Sequence, residues 1–299
     1  DKNSEVLVPS LTYVSTVNAI IYNDAEPHFV EIDPKNLSVD ILKLDNYLKK
    51  IIIKKNKKNI NKRTNKEIKY LLLVHLNGLC CDMYLLKKIL KKHNIKLIED
   101  AAEAFGSFYK KKHLGTFGEI GIFSFNGNKI LTTGGGGAIV LKSKKLYKKA
   151  LSYATNCKFS IGNEVHYKDV GYNYRLPSLN ASLGISQIDK INNFISKKKN
   201  IFKFYKNLFL KDSYIKLLEP QRYLDSNYWL NTIILKFNKT INKKELIILF
   251  KKNNINVRSI WVPLHLVKRF NNFQSMKLDQ TEKIYKQSIT LPSSPFLWR

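Results

Sequence analysis

The sequence predicts an α/β fold, a mostly parallel sheet with covered faces followed by a smaller α/β unit. Three observations point to it. Strand-like and helix-like segments alternate from the start of the chain, as parallel strands joined by crossover helices require. Residues 70–75 are an almost unbroken apolar run, the mark of a strand buried on both sides. From about Ser178 the pattern changes to one long helical stretch and then to a second strand–helix–strand series.

Taken in order, residues 5–9 form a short strand and 13–23 a helix, with Thr12 or Ser15 near its start. Residues 27–32 alternate as a strand and close on Asp33-Pro34; residues 40–53 are helical. The segment 54–69 (KKNKKNINKRTNKEIK) is basic and of low complexity. It reads as a solvated loop, with a patch for an acidic partner as the alternative. An amphipathic helix over 83–94 leads to a strand over 95–100, and a further apolar strand covers 120–125. In parallel sheets ligands sit at the carboxyl ends of strands, which is where Asp100 and the loop after His75 fall. A long helix with one apolar face spans 178–210, followed by a strand over 228–237, a helix over 243–253 and a strand over 256–262. The division is into a large unit of residues 1–204 and a small one of 205–299.

With 299 residues, 44% of them hydrophobic, the chain can bury a sizeable core. No run approaches the roughly 18–20 apolar residues of a membrane span. The opening residues are polar, with no signal-peptide pattern. Three cysteines without metal-type spacing point to a reduced, cytoplasmic setting and to no bound metal. The net charge of +29 invites a nucleic-acid reading, but Arg accounts for only six of the 52 cations. Base readers favour Arg and stacking aromatics, and these lysines are scattered along the whole chain. A positive field would instead draw in an anionic small substrate.

The chemistry concentrates in Ser124-Phe125-Asn126-Gly127-Asn128-Lys129, followed by Thr132-Thr133 and four glycines, 134–137. A lysine held between an apolar strand and a flexible backbone has a lowered pKa and can be a nucleophile. Pyridoxal phosphate requires such an amine, and an acid facing its ring nitrogen. Asp100, ending its strand, supplies the acid; its plain alternative is to cap the following turn. The Ser124 hydroxyl and nearby amides suit a phosphate. The motif Gly171-Tyr172-Asn173-Tyr174-Arg175-Leu176-Pro177 sets an amide and a guanidinium among aromatics, as an anion or sugar site would, or as a turn ahead of a helix would.

Together these segments resemble the DegT/DnrJ-type sugar aminotransferases, pyridoxal phosphate enzymes of the aspartate aminotransferase fold (fold type I). VPSLTYVSTVNAI, IEDAAEAFGS, GTFGEIGIFSFNGNKILTTGGGG, DVGYNYRLPSLNASLG and SNYWLN follow in family order. The resemblance is to the subgroup that aminates C4 of 4-keto-6-deoxy-N-acetylhexosamine nucleotides, on routes to legionaminic acid or bacillosamine. It implies an amino-acid donor, L-glutamate. It also implies that Lys129 carries the cofactor and then shuttles the proton, and that Asp100 pairs with the pyridine nitrogen. Ser124 would bind the cofactor phosphate, and Tyr13 would stack on the ring. Glu103 stands where the family has Gln near the ring oxygen, and an ionised carboxylate cannot donate there. Asn173 would reach the phosphate of a neighbouring subunit's cofactor, implying a homodimer with shared sites. Arg175 and His265 would lie near the nucleotide-sugar substrate. The family carries a further segment ahead of Asp1, with a phosphate-gripping turn at a helix N-terminus, and the chain stops short of a last helix at Phe296. The alternatives are a truncated, catalytically impaired paralogue and a PLP-dependent sugar dehydratase, whose branch has His where Lys129 stands.

Overall fold

The structure is a computed structural model and describes residues 2–236 and 242–298. Its centre is a six-stranded sheet. Hydrogen-bonded neighbours run Gly137–Leu141, Ile120–Ser124, Lys96–Asp100, Ile68–Val74, Glu5–Pro9, Glu26–Val30. Every pair is parallel except that of the edge strand Gly137–Leu141, which runs antiparallel to Ile120–Ser124. The expected α/β class, with a mostly parallel sheet, holds. The strands are apolar because both faces are covered: Leu7, Val8, Phe29, Leu71 and Leu73 are all buried.

The helices follow from period and caps. Ile41–Ile51 turns Ile41, Leu44, Leu48 and Ile51 inward, and the Asp40 side chain accepts from the Lys43 amide at its start. Met83–Lys92 does the same with Met83, Leu86, Ile89 and Leu90, capped by Asp82. Each such buried Leu or Ile contributes about 1.5–3 kcal/mol.

A second, antiparallel sheet orders Ile215–Leu217, Asn231–Leu235, Ser288–Leu291 and Arg258–Ser259. It has its own apolar cluster, including Phe202, Ile233, Val257 and Ile289. Leu218, Leu224, Leu264 and Phe270 join the main core instead.

Four expectations change. Residues 54–69 are not one loop: Ile52–Lys55 and Lys58–Asn61 form a hairpin turning through Asn56 and Lys57 at φ of 48° and 63°. Two of its asparagines point inward, where Asn61 donates to the buried Glu5 carboxylate and Asn59 to the Ile68 carbonyl. The long helix is two, Ser178–Ile188 and Ile191–Leu208, broken at Asp189-Lys190. The strand expected from 228 begins at Asn231, because Tyr228 takes φ of 50°; Phe237, its expected end, lies outside the described residues. The strand expected over 256–262 shrinks to Arg258–Ser259.

Two consecutive carboxylates end the central strand and face opposite ways. Glu99 is fully buried and accepts from His75 and from the amides of Gly115, Phe117 and Gly118. Burial opposes its charge, but these bonds hold it below the usual carboxylate range. Asp100 points to the other side, where the candidate site lies.

Several large apolar side chains between residues 139 and 185 stay uncovered. Ile139 on the edge strand, Leu151, Ile161, Val165, Leu179 and Ile185 are all exposed, and helix Lys144–Ala154 buries none of its residues.

Candidate active site

Strand Ile120–Ser124 delivers the chain to the lysine loop. The Phe125 amide donates to Gly136 and the Thr133 amide to Phe125, so residues 126–132 form an excursion pinned at its base. Gly134 and Gly136 have φ of 77° and 108°, and a Cβ on Gly137 would lie 2.3 Å from the Phe123 carbonyl oxygen. The glycine run therefore turns the chain back tightly against the strand. At the tip the Lys129 amide donates to the Asn126 carbonyl (3.0 Å). The Trp229 indole donates to the Asn128 carbonyl (3.0 Å) and locks the loop from the other side.

The Lys129 side chain is 14% exposed, and its Nζ lies 4.0 Å from Glu103 Oε1 and 4.3 Å from the centre of the Trp229 ring. Burial pushes the amine below the usual lysine range, against the charges of Glu103 and Asp100. It opens into a cavity of about 620 Å³ whose walls include Tyr13, Thr16, Asp100, Glu103, Ser124 and Trp261.

Asp100 is held at both oxygens. Thr16 Oγ1 donates to Oδ2 (2.7 Å) and the Ala102 amide to Oδ1 (3.1 Å). Thr12 donates in turn to Thr16 (3.0 Å), which sets the direction of the chain of hydroxyls. Glu103 is buried, and its Oε2 accepts the Asn77 amide (2.8 Å). Burial pushes its carboxyl up to about 7, despite Lys129 and the hydrogen bonds from Asn77 and Trp261. Asn227, fully buried, donates to the carbonyls of Glu103 and Phe105 and so fixes this turn.

The structure thus gathers Lys129, Asp100, Glu103, Ser124 and Tyr13 around one cavity. Ser124 Oγ accepts the Asn126 amide (3.3 Å). Tyr13 is half exposed, its ring 5.1 Å from that of Trp261. Asn173, Arg175 and His265 line neither this cavity nor the one beside it. Asn173 and Arg175 lie exposed after the Thr155–Asn173 bridge. His265 is engaged through Nδ1 with Ser10 Oγ (2.6 Å), and its Nε2 is 3.4 Å from Glu282.

Sequence reasoning missed Thr16, Trp229 and Trp261. Tryptophan's rarity was the available signal: the chain has three, and two of them line the cavity at Lys129. Trp229→Phe keeps a six-membered aromatic ring but removes the indole N–H, its hydrogen bond and some buried ring volume. It should cost about 1–3 kcal/mol of stability, read as a lowered denaturant midpoint with an unchanged slope.

A second cavity of about 760 Å³ shares Asn128, Lys129, Trp229 and Trp261 with the first and extends to helix Ile191–Leu208 and the small sheet.

The model of the DegT/DnrJ/EryC1/StrS aminotransferase family matches residues 1–298. A GDP-perosamine synthase of Escherichia coli O157:H7 is 33% identical over 99% of this chain and 75% of its own length. A UDP-4-amino-4,6-dideoxy-N-acetyl-beta-L-altrosamine transaminase of Campylobacter jejuni is 28% identical over 97% of this chain and 74% of its own. Helicobacter pylori PseC, an aminotransferase involved in the biosynthesis of pseudoaminic acid, has a similar structure. It superposes with a TM-score of 0.87 at 25% identity, over 98% of this chain and 75% of that one.

Proposed function

This chain belongs to the DegT/DnrJ/EryC1/StrS aminotransferase family, and on that premise we propose that it moves an amino group from L-glutamate to C4 of a nucleotide-linked 4-keto-6-deoxy sugar. The observation that carries the proposal is the desolvated Lys129 amine, opening into the same cavity as an anchored carboxylate. The C4 position is supported by the 4-amino-4,6-dideoxy sugar in the name of one relative, and the nucleotide link by both relatives' names.

Pyridoxal phosphate is the cofactor of this family, and the donor set here fits it. The walls offer an amine for the aldehyde, a carboxylate for the ring nitrogen, a hydroxyl for the phosphate and an aromatic face. When bound, the cofactor supplies a carbon that exchanges amines and a ring that withdraws electrons. Lys129 would hold that carbon and, once released, carry the proton between donor and acceptor carbons. Its lowered pKa supports this, because only the neutral amine attacks or takes a proton. Asp100 would keep the ring nitrogen protonated, with Thr16 and Ala102 preventing its rotation. Ser124 would bind the phosphate and Tyr13 cover the ring. Glu103, with its carboxyl near 7, retains its proton in a sizeable fraction of molecules at neutrality, and that form can donate to the ring oxygen. Lysine at 129 favours transfer over dehydration.

The exposed apolar side chains Ile139, Val165, Leu179 and Ile185 support a homodimer, with Asn173 reaching the partner's cofactor phosphate and Arg175 near the substrate. His265 is assigned to the sugar side, through the loop that follows Trp261. A division into two units is supported by the separate apolar cluster of the small sheet, which reaches back to Phe202, so helix Ile191–Leu208 spans the boundary expected at 204 and 205. A cytoplasmic setting is supported by three free, buried cysteines. No helix of the described residues is long and apolar enough to cross a membrane.

The test is direct. Purified chain with pyridoxal phosphate should convert L-glutamate to 2-oxoglutarate in step with amination of a UDP- or GDP-linked 4-keto-6-deoxy sugar. Failure of both sugars, with the cofactor bound, would overturn the assignment of substrate.

A further inference from the structure

We propose that the second cavity is an oxyanion subsite centred on Lys198, taking the acidic oxygens of whichever substrate extends past Lys129. Lys198 lies in helix Ile191–Leu208 and is only 5% exposed, yet it lines this cavity. Its amine donates to the Ser293 carbonyl, and no carboxylate pairs with it among the described residues. An ammonium has three donors to satisfy, and a buried one without a counterion is costly. The cost falls when an anion arrives.

The surroundings have the same bias. Lys190 at the helix N-cap and Phe194 and Lys198 within the helix are spaced four residues apart, and all three line the cavity. The small sheet adds Arg258, and no Asp or Glu is among the lining residues. Burial lowers the Lys198 amine to about 8, so it is still mostly charged at neutrality. The cavity shares Lys129, Trp229 and Trp261 with the amino-transfer site. A molecule anchored at Lys198 therefore reaches the reacting amine with its other end. This inference rests on the reading of Lys129 given above. The shared chemistry is a carboxylate or phosphate with two acceptor oxygens, carried by the amino-acid donor or by the nucleotide sugar.

Binding is read by quenching of Trp229 and Trp261 in the cofactor-loaded chain, titrated separately with L-glutamate and with UDP and GDP. Lys198→Met should weaken one class of ligand by about 10-fold or more, and Lys198→Arg should restore most of it. Loss confined to glutamate identifies the donor's carboxylate; loss confined to the nucleotides identifies the phosphates. Should Lys198→Met fail to fold, the exposed pair Lys190→Ala with Arg258→Ala should weaken the same ligand. Unchanged affinities in the folded variants overturn the subsite. Borohydride fixation of the cofactor on Lys129, measured by mass, separates the two readings. If it persists while the affinities stay unchanged, only the subsite fails; if it is missing in the wild type, the amino-transfer reading fails.

Discussion

Lys129→Ala should lower amino transfer by at least about 10³-fold and leave no cofactor mass on the chain after borohydride reduction. The size of the loss follows from the two tasks placed on one amine, covalent attachment and proton transfer. Among the described residues no other lysine lines the Asp100 cavity, so none of them can take over either task. The fold should survive, because the loop is held by backbone bonds at its base and by Trp229 at its tip rather than by the side chain removed. Circular dichroism unchanged from the wild type, with activity lost, is the expected result. A borohydride-fixed adduct elsewhere on the variant, together with retained turnover, would transfer the role to another residue.

The second large effect concerns pH. In the unfolded chain the Glu103 carboxyl titrates near 4.5, and in the folded chain near 7. Between those values the folded state holds a proton that the unfolded state lacks, so stability falls as pH rises through that window. The ceiling of the loss is roughly 3 kcal/mol. Glu103→Gln should remove the slope and make the cofactor-free variant more stable than the wild type at pH 8 by up to that amount. His113, whose burial lowers its pKa, acts in the opposite sense. The informative quantity is therefore the difference between variant and wild type, from urea denaturation at several pH values. The groups facing Glu103 are Lys129, Asp100, Asn77 and Trp261. A flat difference would mean that Glu103 is ionised in the folded chain.

Much of this was legible in the sequence, for identifiable reasons. Strands 5–9 and 70–75 read clearly because burial on both faces gives them the apolar runs Val6-Leu7-Val8 and Leu71-Leu72-Leu73-Val74, and 95–100 because Leu97-Ile98 follows an amphipathic helix. Asp100, Ser124 and Lys129 were visible because strand ends and a glycine run mark where a chain can present side chains to a ligand. The break at Asp189-Lys190 was not visible, since neither residue interrupts a helix by its own propensity. The hairpin of 52–61 was hidden by its lysines, because its inward side chains are asparagines rather than apolar residues. Thr16 and Trp229 act across 84 and 101 residues of chain, on Asp100 and Asn128. No local pattern could assign them. Lys198 was one lysine among many, set apart only by its burial.

The paired carboxylates at 99 and 100 leave the central strand no freedom to slip. Moving its frame by a single residue would thrust Asp100 among the amides of Gly115, Phe117 and Gly118 and swing Glu99 into the cavity. The amide cluster under the sheet works as a peg: while it grips Glu99, the chain can present only the shorter acid to the cofactor. A residue inserted between Glu99 and Asp100 should therefore silence the enzyme even in chains that still collapse into a sheet.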